Sequence, residues 1–581
     1  MKACLGPGVS KKGPAAAIVA VLVVTAFLSG VLAGCTVRPA APGAPAGPQA
    51  PAGGGSPGGG QPEQGDQPAQ PGTAPETPAG SPGGSPAGQG VEFKETLSYE
   101  IEGELWTINF KETMSPDGRW VLATQTDTAG VKMVALPLDG AAGDPRILHS
   151  ADRAWTSNNV FGYYSLGWLS GTQCLFATQG WQNTGPHKGQ RGVAIFAGDV
   201  AKDPASVEEV GFIALPDGSL NSGILIPERK KAYLHVPRTI WEFDAANNRL
   251  RQVKSDLPSY DGLFFPKPSP DGRYYVYDIR EDDAYGIYLL DTETGQQRPL
   301  LPAGETMSFY PFWSPDGKYI AAYTVYKKQG AKATQPGQAI DWADYDILEG
   351  EDGPQSASDA ITVVDLDGKV AHTIKVEGKK LSTFRWGPGS NAIGFLTGNV
   401  GTAGGGVEQV IHDGVWLAPS GDALKDGAAG EPLMAAAVER SEPGEDVYIT
   451  IGAVDADGGG VLYTEYRTDK ILTRHARLES SKAPETMEAG FEGWGMEYVS
   501  GDPMVGAVSN PQWSAVYVFE PRGWRELVRF GPNRQTLVLG YNGDVLAVTN
   551  NPFWNPYMAK PGAEPEKAII KAFKVIKANA K

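Results

Sequence analysis

One short turn returns along this chain and restricts what it can become. Ser115-Pro116-Asp117-Gly118 precedes Arg119 and Trp120, Ser269-Pro270-Asp271-Gly272 precedes Arg273 and Tyr274, and Ser314-Pro315-Asp316-Gly317 precedes Lys318 and Tyr319. A looser copy is Trp386-Gly387-Pro388-Gly389-Ser390. Proline presets φ for the second position of a type I turn, aspartate suits the third, and glycine takes the left-handed conformation that closes a hairpin. Short, nearly continuous apolar runs follow: Trp120-Val121-Leu122-Ala123, Tyr274-Tyr275-Val276-Tyr277 and Tyr319-Ile320-Ala321-Ala322-Tyr323. Residues apolar at successive positions describe a strand covered on both faces, a sheet held between two others. A second strand-to-turn element trails each copy, ending at Gly140, Gly295 and Gly368. The spacing between the two turn glycines is 22 and 23 residues in the first two copies and 51 in the third, an insertion of about 28 residues. Strand, turn, strand, loop, strand, turn, strand is a four-stranded antiparallel blade.

These motifs resemble the WD40-like, PD40-type repeats of TolB-like β-propellers, whose hallmark is W-S-P-D-G followed by a base and an apolar strand. The resemblance implies an all-β fold, a single propeller of four-stranded antiparallel blades. Weaker units fall at Trp168-Leu169-Ser170-Gly171, Ile226-Pro227-Glu228-Arg229, Val454-Asp455-Ala456-Asp457-Gly458 and Ser500-Gly501-Asp502-Pro503. Turns near 117, 170, 228, 271, 316, 388, 457 and 502 favour eight blades, with seven also fitting. A last hairpin at Asn542-Gly543-Asp544 is expected to close the ring with N-terminal strands such as residues 105–110.

Ahead of the repeats lie an address and a tether. Lys2, Lys11 and Lys12 precede the uncharged apolar stretch 15–31, the grammar of an export signal. It ends at Leu32-Ala33-Gly34-Cys35, which resembles a bacterial lipobox. That resemblance implies cleavage between Gly34 and Cys35 and a diacylglycerol on the Cys35 sulfur. Two or three acyl chains, at about 0.8 kcal/mol per buried methylene, anchor a protein stably without a span. Residues 36–90 hold thirteen Pro and fifteen Gly with no aromatic, Leu, Ile or Met, so they cannot bury enough surface to offset chain entropy. The expected organisation is a signal peptide at 1–34, a lipidated cysteine and linker at 35–90, the propeller at 91–560, and a tail at 561–581.

Little in the folded region suggests catalysis. Peptidases that carry similar repeats need an α/β-hydrolase domain with a G-x-S-x-G elbow. The match here, Gly54-Gly55-Ser56-Pro57-Gly58, sits in the low-complexity tether. No catalytic residue is therefore assigned. Six histidines lack metal-ligand spacing, and Cys174 lies in an apolar run that suits an inert buried thiol. The insertion carries Asp341, Asp344 and Asp346, with Glu349, Glu351 and Asp352 following. Hard cations want several carboxylates, so calcium is the ion such a loop would take, but the spacing is not that of an EF-hand and a solvated loop is the better reading. No cofactor is expected beyond the covalent lipid. Most of the 14 Trp and 22 Tyr are expected as wedges between blades.

The tail reads as a basic amphipathic helix. Ile569, Ile570, Phe573 and Ile576 share one helical face, and Lys567, Lys571, Lys574, Lys577 and Lys581 surround it. It would dock on the acidic propeller or lie on an anionic membrane. Carboxylates outnumber bases 67 to 50, which argues against nucleic acid. The sequence thus describes a lipid-anchored extracytoplasmic monomer, its propeller a non-enzymatic platform for an envelope protein or peptide at the propeller mouth. The competing reading is an envelope enzyme or carbohydrate binder that uses the central channel, with a bound cation. TolB-like proteins are soluble, so the lipobox and the long tether depart from that family.

Overall fold

The structure, a computed structural model, describes residues 91–576 apart from 107–112, 141–142, 153–160, 216–219, 258–265, 280–285, 332–343, 346–348, 351–352, 355–357, 403–407, 421–430, 441–446, 468–469, 479–484, 489–495, 500–503, 510–512, 521–522, 533 and 553–566. Residues 1–90 and 577–581, including Gly34 and Cys35, lie outside the described residues.

The close turns have one hydrogen-bond plan. Gly118, Gly272 and Gly317 donate their N–H to the carbonyls of Ser115, Ser269 and Ser314 at 2.9, 2.8 and 2.9 Å. Each serine Oγ donates to the aspartate two residues on, at 2.6, 2.6 and 2.7 Å, and accepts the N–H that opens the next strand, at 3.0, 2.9 and 3.0 Å. The side chains thus satisfy backbone groups that an edge turn would leave to water. Gly272 has φ +66°, and a Cβ there would meet Ile226 Cγ1 of the preceding blade at 2.6 Å, so both conformation and space select glycine.

Around these turns the chain builds nine four-stranded antiparallel sheets among the described residues, and one two-stranded hairpin. Blade 1 comprises Glu104–Trp106, Trp120–Thr126, Gly130–Pro137 and Arg146–Asp152. Blades 2, 3 and 4 span 161–214, 222–254 and 267–302; blade 5 spans 306–374; blades 6, 7 and 8 span 380–437, 448–488 and 496–530. Each runs in chain order across its sheet. First strands of successive blades touch, as in blades 2 and 3, 4 and 5, and 6 through 9, which places the axis along them.

Nine buried apolar clusters each straddle two neighbouring blades, and together they run around the ring. The period of two in a strand divides its side chains between the two interfaces. In blade 1, Trp120 and Leu122 pack toward blade 2, while Val121 and Ala123 pack toward blade 9. That partition explains why the second and third strands read as unbroken apolar runs. Tryptophan adds a polar tie. Trp168, Trp313 and Trp386 close the first strands of blades 2, 5 and 6, and their Nε1–H groups donate to the carbonyls of Thr113, Lys267 and Phe312 in the preceding blade, at 2.6, 2.9 and 3.3 Å.

The ninth blade corrects two expectations. Its strands are Arg534–Tyr541, Val545–Pro552, Lys567–Ile576 and, outermost, Glu92–Glu102. The segment expected as a C-terminal helix is therefore a strand inside the ring, and the propeller reaches beyond residue 560. Ala568, Ile570 and Ala572 pack toward blade 1, and Phe573 and Val575 toward blade 8. Runs of β-branched residues suit that two-sided burial better than a helix. The basic charge has its partner too: Lys571 pairs with Glu95 at 2.7 Å and Lys567 with Glu100 at 3.4 Å, across the register Glu92↔Ile576 to Glu102↔Lys567. The count is thus nine blades rather than eight or seven. Ring closure falls to residues 92–102; Leu105, expected in that role, belongs to blade 1, where its N–H and C=O meet the Asn551 amide of blade 9 at 3.0 and 2.8 Å. No α-helix occurs among the described residues, and none there is long and apolar enough to cross a membrane.

Candidate functional site

In blades 1, 4 and 5 the signature turn leads into the second strand at one end of the ring. The second-to-third loops and the links to the next blade gather at the other. Blade 5 carries its insertion at this second end, between Tyr319–Tyr326 and Ala360–Asp365. Tyr345 fastens the insertion down: it is buried in the cluster between blades 5 and 6, and its hydroxyl donates to Gly304 O at 2.7 Å. Blade 6 contributes its longest pair of strands, Ala392–Thr402 and Glu408–Pro419.

Between these walls lies a cleft of about 820 Å³. The link 375–379 lines it and runs from the outermost strand of blade 5 to the innermost strand of blade 6, so the cleft lies radially between rim and axis. Among the described residues, five lysines line it (Lys327, Lys328, Lys375, Lys379 and Lys380) against two carboxylates, Asp359 and Glu377. Lys380 pairs with Asp359 at 2.8 Å, and Lys379 pairs with Asp413. Asp413 also accepts from Thr397 Oγ1 at 2.9 Å and Asn399 Nδ2 at 3.1 Å. The Lys375 ammonium lies 4.1 Å from the centroid of the Tyr326 ring, a cation–π contact that holds it in place.

At the next boundary, between blades 6 and 7, a smaller hollow of about 160 Å³ continues the basic character. Arg440, Arg467, Lys470 and Arg474 line it with Glu439. Beneath it, Glu465 is buried and accepts from Arg467 Nε and Nη2 at 2.9 and 2.7 Å, with Arg474 Nε 2.9 Å away.

A serine–histidine pair stands behind the cleft: Ser382 Oγ lies 2.8 Å from His412 Nε2. Burial, aided by Arg440 and opposed by Asp413, pulls His412 down to about 4, so the imidazole is neutral at pH 7. Both residues are buried, and the carboxylate next in sequence, Asp413, is committed to Lys379, Thr397 and Asn399. The pair therefore ties two strands of blade 6 together and presents no nucleophile to solvent.

Of the expected cation ligands, Asp341 and Asp346 lie outside the described residues, and Asp344 contributes its backbone carbonyl to the Lys328 N–H at 2.7 Å. Among the described residues no three His, Cys, Asp or Glu gather as a metal site. Cys174 is buried between blades 1 and 2, where burial pushes its thiol up to about 12. The lysine cleft was not singled out from the sequence. Its parts are two Lys-Lys pairs and a lone lysine spread over residues 327–380, and only the sheet topology brings them to one opening.

No family model matches the chain, and no curated protein matches it. Solved structures share its architecture at low similarity. Sqt1 from Chaetomium thermophilum is 12% identical over 84% of this chain and 100% of its own, with a TM-score of 0.37. A candidate TolB from Agrobacterium tumefaciens is 16% identical over 51% of this chain and 85% of its own, with a TM-score of 0.25. An oligogalacturonate lyase from Vibrio parahaemolyticus is 10% identical over 81% of this chain and 98% of its own, with a TM-score of 0.35. Similarity at this level carries no argument about activity.

Proposed function

We infer that this chain is an extracytoplasmic lipoprotein, anchored in a bacterial membrane through a lipidated Cys35, whose propeller is a non-enzymatic binding platform. The observation that supports binding is the radial cleft at the loop end of the ring, an open polar recess lined by lysines from the two blades it separates. The leader motif supports the anchor, and the Pro/Gly-rich segment 36–90 supplies the reach, on the order of 40 Å r.m.s. for a coil of its length. The partner is an envelope protein or peptide that meets the mouth of the ring; the charge balance argues against nucleic acid. The protein acts as a monomer and needs no metal.

Two experiments in the native host test this. Metabolic labelling with an alkyne fatty acid marks the wild-type chain, and Cys35→Ala abolishes the label and releases the protein from the membrane fraction. In-cell crosslinking of the full chain recovers a specific envelope protein linked to the loop end of the ring. Recovery of no protein, while soluble glycans or calcium raise the melting temperature, contradicts the platform and favours a carbohydrate or cation site.

A further inference from the structure

The whole chain has a formal net charge of −17, yet the described residues that line the cleft between blades 5 and 6 reverse that sign. Of the acids at the cleft, Asp359 holds Lys380 and accepts the Tyr326 N–H at 2.9 Å, and the neighbouring Asp413 holds Lys379; Glu377 is the one other lining carboxylate among the described residues. Lys375 is steadied by an aromatic ring, and the Lys328 backbone is fixed to the insertion, with no carboxylate in ion-pair range of either ammonium among the described residues. Like charges concentrated in one recess repel, and an anion of two or more charges relieves that repulsion better than scattered monovalent counterions. Lysine ammoniums are compact point charges on flexible stems, suited to phosphate without the bidentate geometry that arginine prefers. The volume falls in the range of small-molecule sites, about 300–1,000 Å³.

We propose that this cleft binds an oxyanion carrying two or more negative charges, of the phosphate class, on Lys328 and Lys375, with Lys327, Lys379 and Lys380 supplying the surrounding positive field. The proposal rests on the binding-platform reading and names the chemistry of one of its sites.

Calorimetric titration of the full chain in detergent tests it, with inorganic pyrophosphate as the free anion and glycerol 1-phosphate as the chemistry of a lipid headgroup. Saturable binding is expected, about tenfold weaker for each lysine removed in Lys328→Gln and Lys375→Gln, and weaker again as salt rises. The exposed Lys188→Gln in blade 2 leaves binding unchanged. The melting temperature of each unliganded variant stays at the wild-type value, which separates lost binding from lost folding. Tighter binding of pyrophosphate assigns a free anion, and tighter binding of glycerol 1-phosphate a headgroup. Absence of saturable binding to both, or binding undiminished in Lys328→Gln/Lys375→Gln, overturns the proposal. A crosslinked protein partner alongside such a result would remove the cleft assignment and leave the platform standing.

Discussion

Glu242→Gln is the perturbation that best tests the polar joints of the ring. Glu242 is buried in the third strand of blade 3, between Lys231 on the second strand and Arg251 on the fourth. Arg251 donates to it through Nε at 2.7 Å and Nη2 at 2.9 Å, and Lys231 adds a third bond at 3.1 Å. Arg251 Nη2 also reaches Thr292 O in blade 4 at 2.9 Å, so the carboxylate indirectly fastens two blades. The amide would remove the negative charge and turn a donor toward two cations. Breaking a buried pair from one side costs about 3–5 kcal/mol, and that is the loss expected at pH 7 in urea unfolding followed by tryptophan fluorescence. The pH dependence supplies a second check. Burial raises the Glu242 pKa, and the hydrogen bonds and charges of Arg251 and Lys231 lower it further than that, for a net direction below the usual 4.5. A depressed carboxylate contributes stability above its unfolded pKa and loses it as pH falls through the folded one. The gap between wild type and variant should therefore be constant from neutral pH to about 4.5 and close below it. A variant as stable as wild type at pH 7, or a gap that persists at the lowest pH, would refute the reasoning.

Three further substitutions probe other links. Gly272→Ala places a Cβ where φ is +66° and Ile226 stands at 2.6 Å; thermal unfolding should show a loss of at least about 1–2 kcal/mol. Trp313→Phe deletes the Nε1–H bond to Lys267 O while keeping most of the ring, for a loss of about 1 kcal/mol by the same assay. Lys267 sits 3.1 Å from the centroid of Phe312, and burial, partly offset by Asp278, pulls it down to about 7. A lysine depressed on folding penalises the native state most where it must stay protonated, so wild-type stability should climb from pH 7 toward the unfolded value of 10.5. Lys267→Met should remove that slope and be the more stable protein below pH 7. A flat wild-type profile over this range would contradict the burial.

The sequence showed the blade unit clearly because its turn is chemically specific: serine, proline, aspartate and glycine each perform a separate backbone task. Degenerate turns were visible for a related reason. Lys230 and Ser390 stand in the left-handed position at φ +52° and +57°, as the glycines do in the close copies. The count fell short because nine first-turn positions were present but the ninth lacked a recognised third strand. In Lys567–Ile576 the apolar residues satisfy a helical spacing and a strand alternation together, and short apolar runs do not separate the two. What decided it lies some 470 residues away, in the acidic strand Glu92–Glu102 that the lysines face. The cleft was illegible for the same reason. Lysines on one loop and on the link that opens the next blade become one site only when neighbouring blades stack, and periodicity along a strand carries no record of that stacking.

Electron cryomicroscopy of the purified full chain tests the central claim most directly. The account predicts a closed ring of nine four-stranded spokes viewed down the axis, with residues 92–102 as the outermost strand of the last spoke beside Lys567–Ile576. Density with seven or eight spokes, or a helix at residues 567–576, would contradict it.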